Sequence, residues 1–205
     1  TVPLLWLGLY GPPREMTSAD VDAWLSTHKR SGTYEFTDVT RAWGRDGYLR
    51  RFTEVQEKIR AGDIYQLNLT FKSRFRLEGS PLTFYQDLRR RQRVEFGAIV
   101  DTGEATVLSA SPELFVAQTG RIIETRPMKG TAPRAGTPEA DAEARRVLAS
   151  DIKQRAENLM IVDLMRNDLG RKAEIGSVEV TDLFTVETYR TLHQMTSGIR
   201  ARLKP

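Results

Sequence analysis

The apolar period of the chain changes at Gly62, and that change limits the fold more than any other feature. Before it, Leu49, Phe52, Val55 and Ile59 recur at helical spacing, and Gly62 follows as a stop. After it, Tyr65, Leu67, Leu69 and Phe71 alternate with Gln66, Asn68 and Thr70. That alternation predicts a strand with one apolar and one polar face. A helix and a half-buried strand in direct succession call for both kinds of packing in one domain. The rest of the chain continues the mixture. Helices are predicted over 82–92, from Thr137-Pro138 to about Ala149, and from Ser150 to about Asp168, with Gly170 beyond. Strands are predicted over 96–101, 114–117, 121–125, 178–184 and 191–203. The result is an α+β domain, with layered antiparallel sheets flanked by helices.

Before Gly47 the pattern is weaker. Residues 1–10 predict an apolar strand that Gly11-Pro12-Pro13 ends. Thr17 or Ser18 is placed to cap a short helix through Leu25. Residues 30–46 are polar and predict a connection. The expected division is 1–46 as an N-terminal region with its connection and 47–205 as the start of the main domain.

Composition narrows the chemistry. No cysteine is present, which excludes disulfides, thiolate zinc sites and a cysteine nucleophile, and fits a reducing, cytoplasmic setting. Two histidines are too few for a multi-histidine metal site. The apolar run Leu4–Leu9, broken by Gly8, is too short to cross a bilayer. No secretory leader is visible; the chain begins at Thr1, so an upstream segment stays open. The run Arg89, Arg90, Arg91 and Arg93 reads either as a solvated helix end or as a nucleic-acid contact. The formal charge of +4 also suits gathering a dianionic substrate.

Four segments offer chemistry. In Ser109-Ala110-Ser111-Pro112-Glu113, the Glu sits at a turn before an apolar strand. It is either a surface carboxylate or, if burial raises its pKa, a general acid. In Glu124-Thr125-Arg126-Pro127-Met128-Lys129-Gly130-Thr131, Lys129 adjoins a glycine that lets a ligand approach the backbone. Lys129 is either a solvated turn residue or a nucleophile whose amine is freed by neighbouring cations, for which Arg126 and Arg134 are the candidates. On the helix that follows, Glu157, Ile161, Leu164 and Asp168 form one stripe, so its acids are ion-paired or hold magnesium. On the last strand His193 and Gln194 face opposite sides, and either is placed for a substrate contact.

These motifs are similar, in order and spacing, to successive signatures of the chorismate-utilising enzymes. Asp63-Ile64-Tyr65-Gln66-Leu67-Asn68-Leu69 and Asp163-Leu164-Met165-Arg166-Asn167-Asp168-Leu169-Gly170-Arg171 complete the set. The resemblance covers roughly residues 47–203, with a weaker match at Leu4–Tyr10, and implies an anthranilate synthase component I-like fold. Within the family, Pro127-Met128-Lys129-Gly130-Thr131 resembles the branch that forms aminodeoxychorismate for para-aminobenzoate and folate, and Gln66 resembles the two ammonia-using branches, aminodeoxychorismate and anthranilate synthases, alike. The anthranilate-forming branch usually has Ala at position 129.

The resemblance implies a set of roles. Lys129 attacks C2 of chorismate, Glu113 protonates the departing C4 hydroxyl, and ammonia from a glutamine amidotransferase subunit then displaces Lys129. Thr131, Gly130, Gln66 and Gln194 line the substrate, and Glu157 holds magnesium. No nucleic acid or membrane partner is implied. The chain departs from the family pattern in three ways. The family's late-strand histidine aligns with Gln194, Met128 replaces Ile, and a Gly-Gly-Ser-Ile-Thr-Gly-Ala-Pro-Lys segment is absent. The expectation is therefore a truncated chain of an enzyme, with anthranilate synthase component I or an inactive fragment of either enzyme as the alternatives, whose open strand edges favour pairing as a homodimer.

Overall fold

The computed structural model describes residues 5–28 and 32–205. The expected strand over 1–10 lies partly outside them, and residues 5–10 form no regular element. The described chain divides into two compact units, one of residues 13–86 and one that gathers residues 87–205 with the first segment.

The smaller unit contains helix α1 (Ser18–His28), strand β1 (Tyr34–Arg41), helix α2 (Arg45–Ala61) and strand β2 (Ser73–Gly79). Thr17 starts α1 as the spacing predicts. Its hydroxyl accepts from the Asp20 amide at 3.2 Å, while the Asp20 carboxylate accepts from the Thr17 amide at 3.1 Å. Gly62 ends α2 in the left-handed region, at φ +80°, which returns the last carbonyls of the helix to the Gly62 and Asp63 amides. β1 and β2 pair antiparallel, and Tyr34, Phe36, Phe75 and Phe84 pack edge to face beside them.

Two expectations fail in this unit. Residues 34–41 form a strand rather than a connection, paired with β2. Tyr34 and Phe36 alternate with Glu35 and Thr37, but the period is lost at Asp38, which takes φ +54° where the pairing shifts register, so the apolar run is too short to stand out. The strand expected over Tyr65–Phe71 is not in a ladder. A period of two sets which side chains share a face, but a strand also needs a partner edge, and among the described residues none pairs with this run. Tyr65 is 61% exposed, and Leu67 and Phe71 are exposed with it.

Helix α3 (Pro81–Arg91) leads into the larger unit, placing Arg89–Arg91 in a last helical turn, where cations suit the helix dipole. Strands β3 (Phe96–Asp101) and β4 (Thr106–Ser111) form a hairpin. Strands β5 (Leu114–Thr119), β6 (Ile122–Arg126) and β7 (Met128–Pro133) follow, then helices α4 (Pro138–Ser150) and α5 (Ile152–Gly170), then strands β8 (Glu179–Thr188) and β9 (Leu192–Arg202). Thr137 caps α4, its hydroxyl accepting from the Ala140 amide. Asp151 caps α5 by accepting from the Gln154 amide at 2.9 Å.

β9 is the centre of a five-stranded antiparallel sheet. One of its edges pairs with β8 along most of its length. The other is shared, with β7 against residues 192–196 and β6 against residues 199–202. β6 and β7 are one strand interrupted by Pro127, which lacks an N–H but whose carbonyl still accepts from the Ser197 amide at 3.2 Å. β4 and β7 are short elements that the apolar pattern did not reveal.

Helices α4 and α5 cover one face of this sheet. Val162, Leu169, Ile199 and Ala201 form one core cluster, and Leu148, Val186 and Met195 a second. The buried stripe of α5 is therefore Asn158, Val162 and Leu169, one position away from the expected Glu157, Ile161, Leu164 and Asp168. Leu164 is 39% exposed and Asp168 is exposed. The helix carries apolar residues on nearly every side, so spacing alone did not choose between adjacent stripes.

This orientation makes a prediction. Val162→Ala should cost about 1–3 kcal/mol, whereas the larger truncation Leu164→Ala should cost less than about 1 kcal/mol. Urea unfolding of the two variants checks it, and the reverse order would reinstate the other stripe.

Candidate active site

Most of the expected site residues gather around the corner between β6 and β7. Pro112 and Glu113 occupy the turn from β4 to β5, where the Ser111 hydroxyl accepts from the Glu113 amide at 3.2 Å. Leu114 then pairs with Arg126. Because Pro127 has no amide hydrogen, the first free donor past the corner is Met128, and its N–H donates to Glu113 Oε1 at 3.1 Å. The carboxylate is thus fixed on the residue that precedes Lys129. Glu113 is otherwise exposed, and no surrounding burial separates it from water.

Lys129 is half-buried and has no ion-pair partner among the described residues. The two cations expected to act on its amine are themselves neutralised. Arg126 donates to Glu187 at 2.8 Å and to Asp182 at 3.0 Å. Arg134 grips Asp141 through Nε and Nη2 and donates to the Tyr189 carbonyl at 2.8 Å. A guanidinium paired with a carboxylate projects little net field, so these arginines are frame elements rather than free charges.

Gly130 is buried with φ +101°, and a Cβ there would lie 3.1 Å from Met195 Cβ and 3.3 Å from Gln154 Cβ. The glycine therefore lets α5 approach the sheet, in a conformation that side chains disfavour. One residue further, the Thr131 hydroxyl donates to Gln194 Oε1 at 3.1 Å, so these two expected substrate contacts already meet. Gln66 belongs to the smaller unit, in the run that forms no ladder.

Asn158 was not foreseen. It is 1% exposed, and its Nδ2 donates to the carbonyls of Lys129 at 3.2 Å and Met195 at 3.3 Å. Its Oδ1 accepts from the Ser197 hydroxyl at 2.6 Å. One amide thereby fastens α5, β7 and β9 at Lys129. The available signal was an amide side chain on an apolar helix, which needs partners wherever it is buried.

Its neighbour Glu157 points away from that contact. Glu157 is 38% exposed and lies 3.8 Å from Lys153, a long and solvated ion pair that leaves carboxylate oxygens free. No group of three metal-ligating side chains occurs among the described residues. Magnesium is commonly held by one or two carboxylates, with water and substrate oxygens completing its shell. Glu157 fits that pattern as one ligand.

His193 is fully buried, and it does face away from Gln194. Its Nε2 meets Asp141 at 3.0 Å and its Nδ1 meets the Thr188 hydroxyl at 3.0 Å. It is a structural hydrogen-bonder between β8, β9 and α4. Asp141 lies well below the usual carboxylate range, first through the Arg134 guanidinium and then through the Ala135 amide. For Glu187, burial pushes the carboxyl up, but hydrogen bonds from Tyr189, Arg126 and Thr196 outweigh it and leave the group below its ordinary value.

Comparison with known proteins fits this arrangement. Residues 14–205 match the family model described as chorismate binding enzyme.

The chain belongs to the chorismate binding enzyme family.

Among its relatives is aminodeoxychorismate synthase component 1 of Klebsiella aerogenes, 43% identical over 185 residues, 88% of this chain and 41% of that protein. Aminodeoxychorismate synthase of Streptomyces griseus is 48% identical over 162 residues, 78% of this chain and 22% of that protein. The chain thus spans about two fifths, or less, of the length of these relatives. In three dimensions it resembles anthranilate synthase component I from Streptococcus pneumoniae, with a TM-score of 0.73 at 32% identity over 83% of this chain and 37% of that one. The expected α+β, anthranilate synthase component I-like fold is therefore present.

Two outcomes follow for stability. Asn158→Ala takes a donor from two carbonyls and the acceptor from the buried Ser197 hydroxyl, which keeps only the Phe184 amide, and should cost about 2–4 kcal/mol in urea unfolding. A carboxyl depressed in the folded state lends stability that is present above its unfolded value near 3.8 and is lost as pH falls through the lower folded value. Thermal midpoints should accordingly fall between about pH 4 and pH 2, and fall less steeply in Asp141→Asn.

Proposed function

We propose that the protein of which this chain forms a part is an aminodeoxychorismate synthase component 1. In this reading it converts chorismate and ammonia to 4-amino-4-deoxychorismate on the way to para-aminobenzoate and folate. The observation that carries the reading is the hydrogen bond from the Met128 amide to Glu113, which ties the carboxyl group to the residue that precedes Lys129. The names of the two relatives above support the same branch.

The chemistry uses the two groups in sequence. The Lys129 amine, in its free-base form, bonds to C2 of chorismate as the C4–O bond breaks. Glu113, exposed in the free chain, is shielded from water once the substrate covers it, and from there gives its proton to that oxygen, which leaves as water. Ammonia then bonds to C4 and the bond to Lys129 breaks, returning the amine. Splitting the substitution into two steps lets each have a workable leaving group. The paired Thr131 and Gln194 are placed along the substrate, with Gly130 and Gln66 as further contacts. Glu157 is the residue to hold magnesium, whose charge would neutralise a substrate carboxylate. A glutamine amidotransferase subunit supplies the ammonia, and the setting is cytoplasmic, with pairing into a homodimer. No described helix is long and apolar enough to cross a membrane.

A second reading is an anthranilate synthase, favoured by the likeness to the Streptococcus pneumoniae structure. Product identity separates the two. The full-length protein should convert chorismate, in magnesium and ammonium, to aminodeoxychorismate identified by chromatography and mass spectrometry. Lys129→Ala should lower that product by at least about 100-fold, and Glu113→Gln by about 100-fold or more. Anthranilate as the product, or full activity without Lys129, would overturn the reading.

A further inference from the structure

The sheet face opposite the helices carries a clamp that the proposed reaction does not use directly. Arg126 on β6 is held by two acids of β8, although β9 lies between them. Reaching across a central strand means spanning two strand spacings, about 9–10 Å. Three features of the chain make that reach workable.

First, Gly198 leaves a notch in β9. A Cβ at this position would sit 2.3 Å from Asp182 Oδ1 and 2.3 Å from Thr181 Oγ1, so Asp182 lies across the strand where a side chain would otherwise stand. Second, β8 is bulged. Asp182 pairs with Gly198 and Thr185 with Thr196, so three steps on β8 match two on β9. Asp182 and Glu187 are five residues apart and would face opposite sides of a regular strand. The bulge, with Phe184 held at φ +59°, turns both to one face. Third, Glu187 is held by three donors. Its carboxylate accepts from Arg126 at 2.8 Å, from Thr196 at 3.0 Å and from Tyr189 at 2.6 Å. Arg126 in turn has Nε, Nη1 and Nη2 all on carboxylates, which leaves it poorly suited to bind an anionic substrate.

We propose that Arg126 is a positioning residue for Glu113, fixed by this clamp of Asp182 and Glu187 across β9. Besides the Ser111 hydroxyl in its own turn, two anchors of Glu113 lie on the strand that the clamp holds. Leu114, the next residue, pairs with Arg126 itself, and the Met128 amide two residues on binds the Glu113 carboxylate. Loosening Arg126 frees the corner at Pro127 and moves the acid relative to Lys129. The inference rests on the proposed reaction for its catalytic consequence, but not for its effect on the Met128 amide.

The test uses the full-length protein with Arg126→Lys, which cannot fork to two carboxylates, and Gly198→Ala, which fills the notch. Each is made alone and in the Glu113→Gln background. Each single variant should lower kcat by roughly tenfold with KM for chorismate within about twofold. In the Glu113→Gln background the same changes should cost less than about twofold, because the residue they position is already disabled. Peptide-resolved hydrogen exchange, which needs no turnover, should show the Met128 amide exchanging about tenfold faster in both single variants. Equal losses in the two backgrounds, or a rise in KM at unchanged kcat, would overturn the positioning role. Unchanged Met128 exchange would overturn the clamp itself. A parent protein that leaves chorismate unconverted would overturn the functional reading, and the catalytic role of Arg126 with it, while the exchange result still reports on the clamp.

Discussion

The larger unit depends on a single buried amide. Asn158 bonds two strand carbonyls and a strand hydroxyl from the middle of α5, and each of those partners lies at or beside Lys129. Without such partners a buried amide costs several kcal/mol, so the helix has one depth and one rotation at which it is stable against the sheet. Gly130 permits that depth by offering no Cβ where Met195 and Gln154 come close. The apolar contacts of Val162, Leu169, Ile199 and Ala201 supply most of the burial, but apolar packing tolerates small rotations. The amide does not.

Much of this was legible in the sequence, and the failures have physical causes. Thr17, Gly62 and Thr137 mark helix ends by local chemistry, and local chemistry does not depend on what lies elsewhere in the fold. Hence the helices were placed within a few residues. The hairpin strand over 96–101 and the long strand near the end were visible for similar reasons. The run from Tyr65 to Phe71 shows the limit, because alternation tells which side chains share a face and nothing about whether a partner strand is there. The stripe on α5 failed by one position because the helix is apolar on nearly all sides, and only the hidden role of Asn158 decides which side turns inward.

The candidate site was legible differently. Its residues were named through family motifs, and the structure adds their relations: Glu113 with the Met128 amide, Thr131 with Gln194, and Glu157 beside but not within the core. What no motif conveyed is the state of the arginines. Arg126 and Arg134 look in sequence like free cations next to Lys129, yet each is held by acids that arrive from 7 to 61 residues away. Charge counted along a chain and charge acting at a point in space are different quantities, and pairing at this distance is invisible before folding.

The bulge in β8 has a consequence for how this segment can change. Between Asp182 and Glu187 the side-chain directions depend on the number of residues, not on their kinds. Most substitutions at the intervening positions would leave both acids on the same face. The loss or gain of one residue would send one of the two through to the helix side, into the layer occupied by Met195 and Ile199. In this short stretch, segment length is the inherited trait, and a single-codon deletion would be more damaging than several exchanges of amino acid.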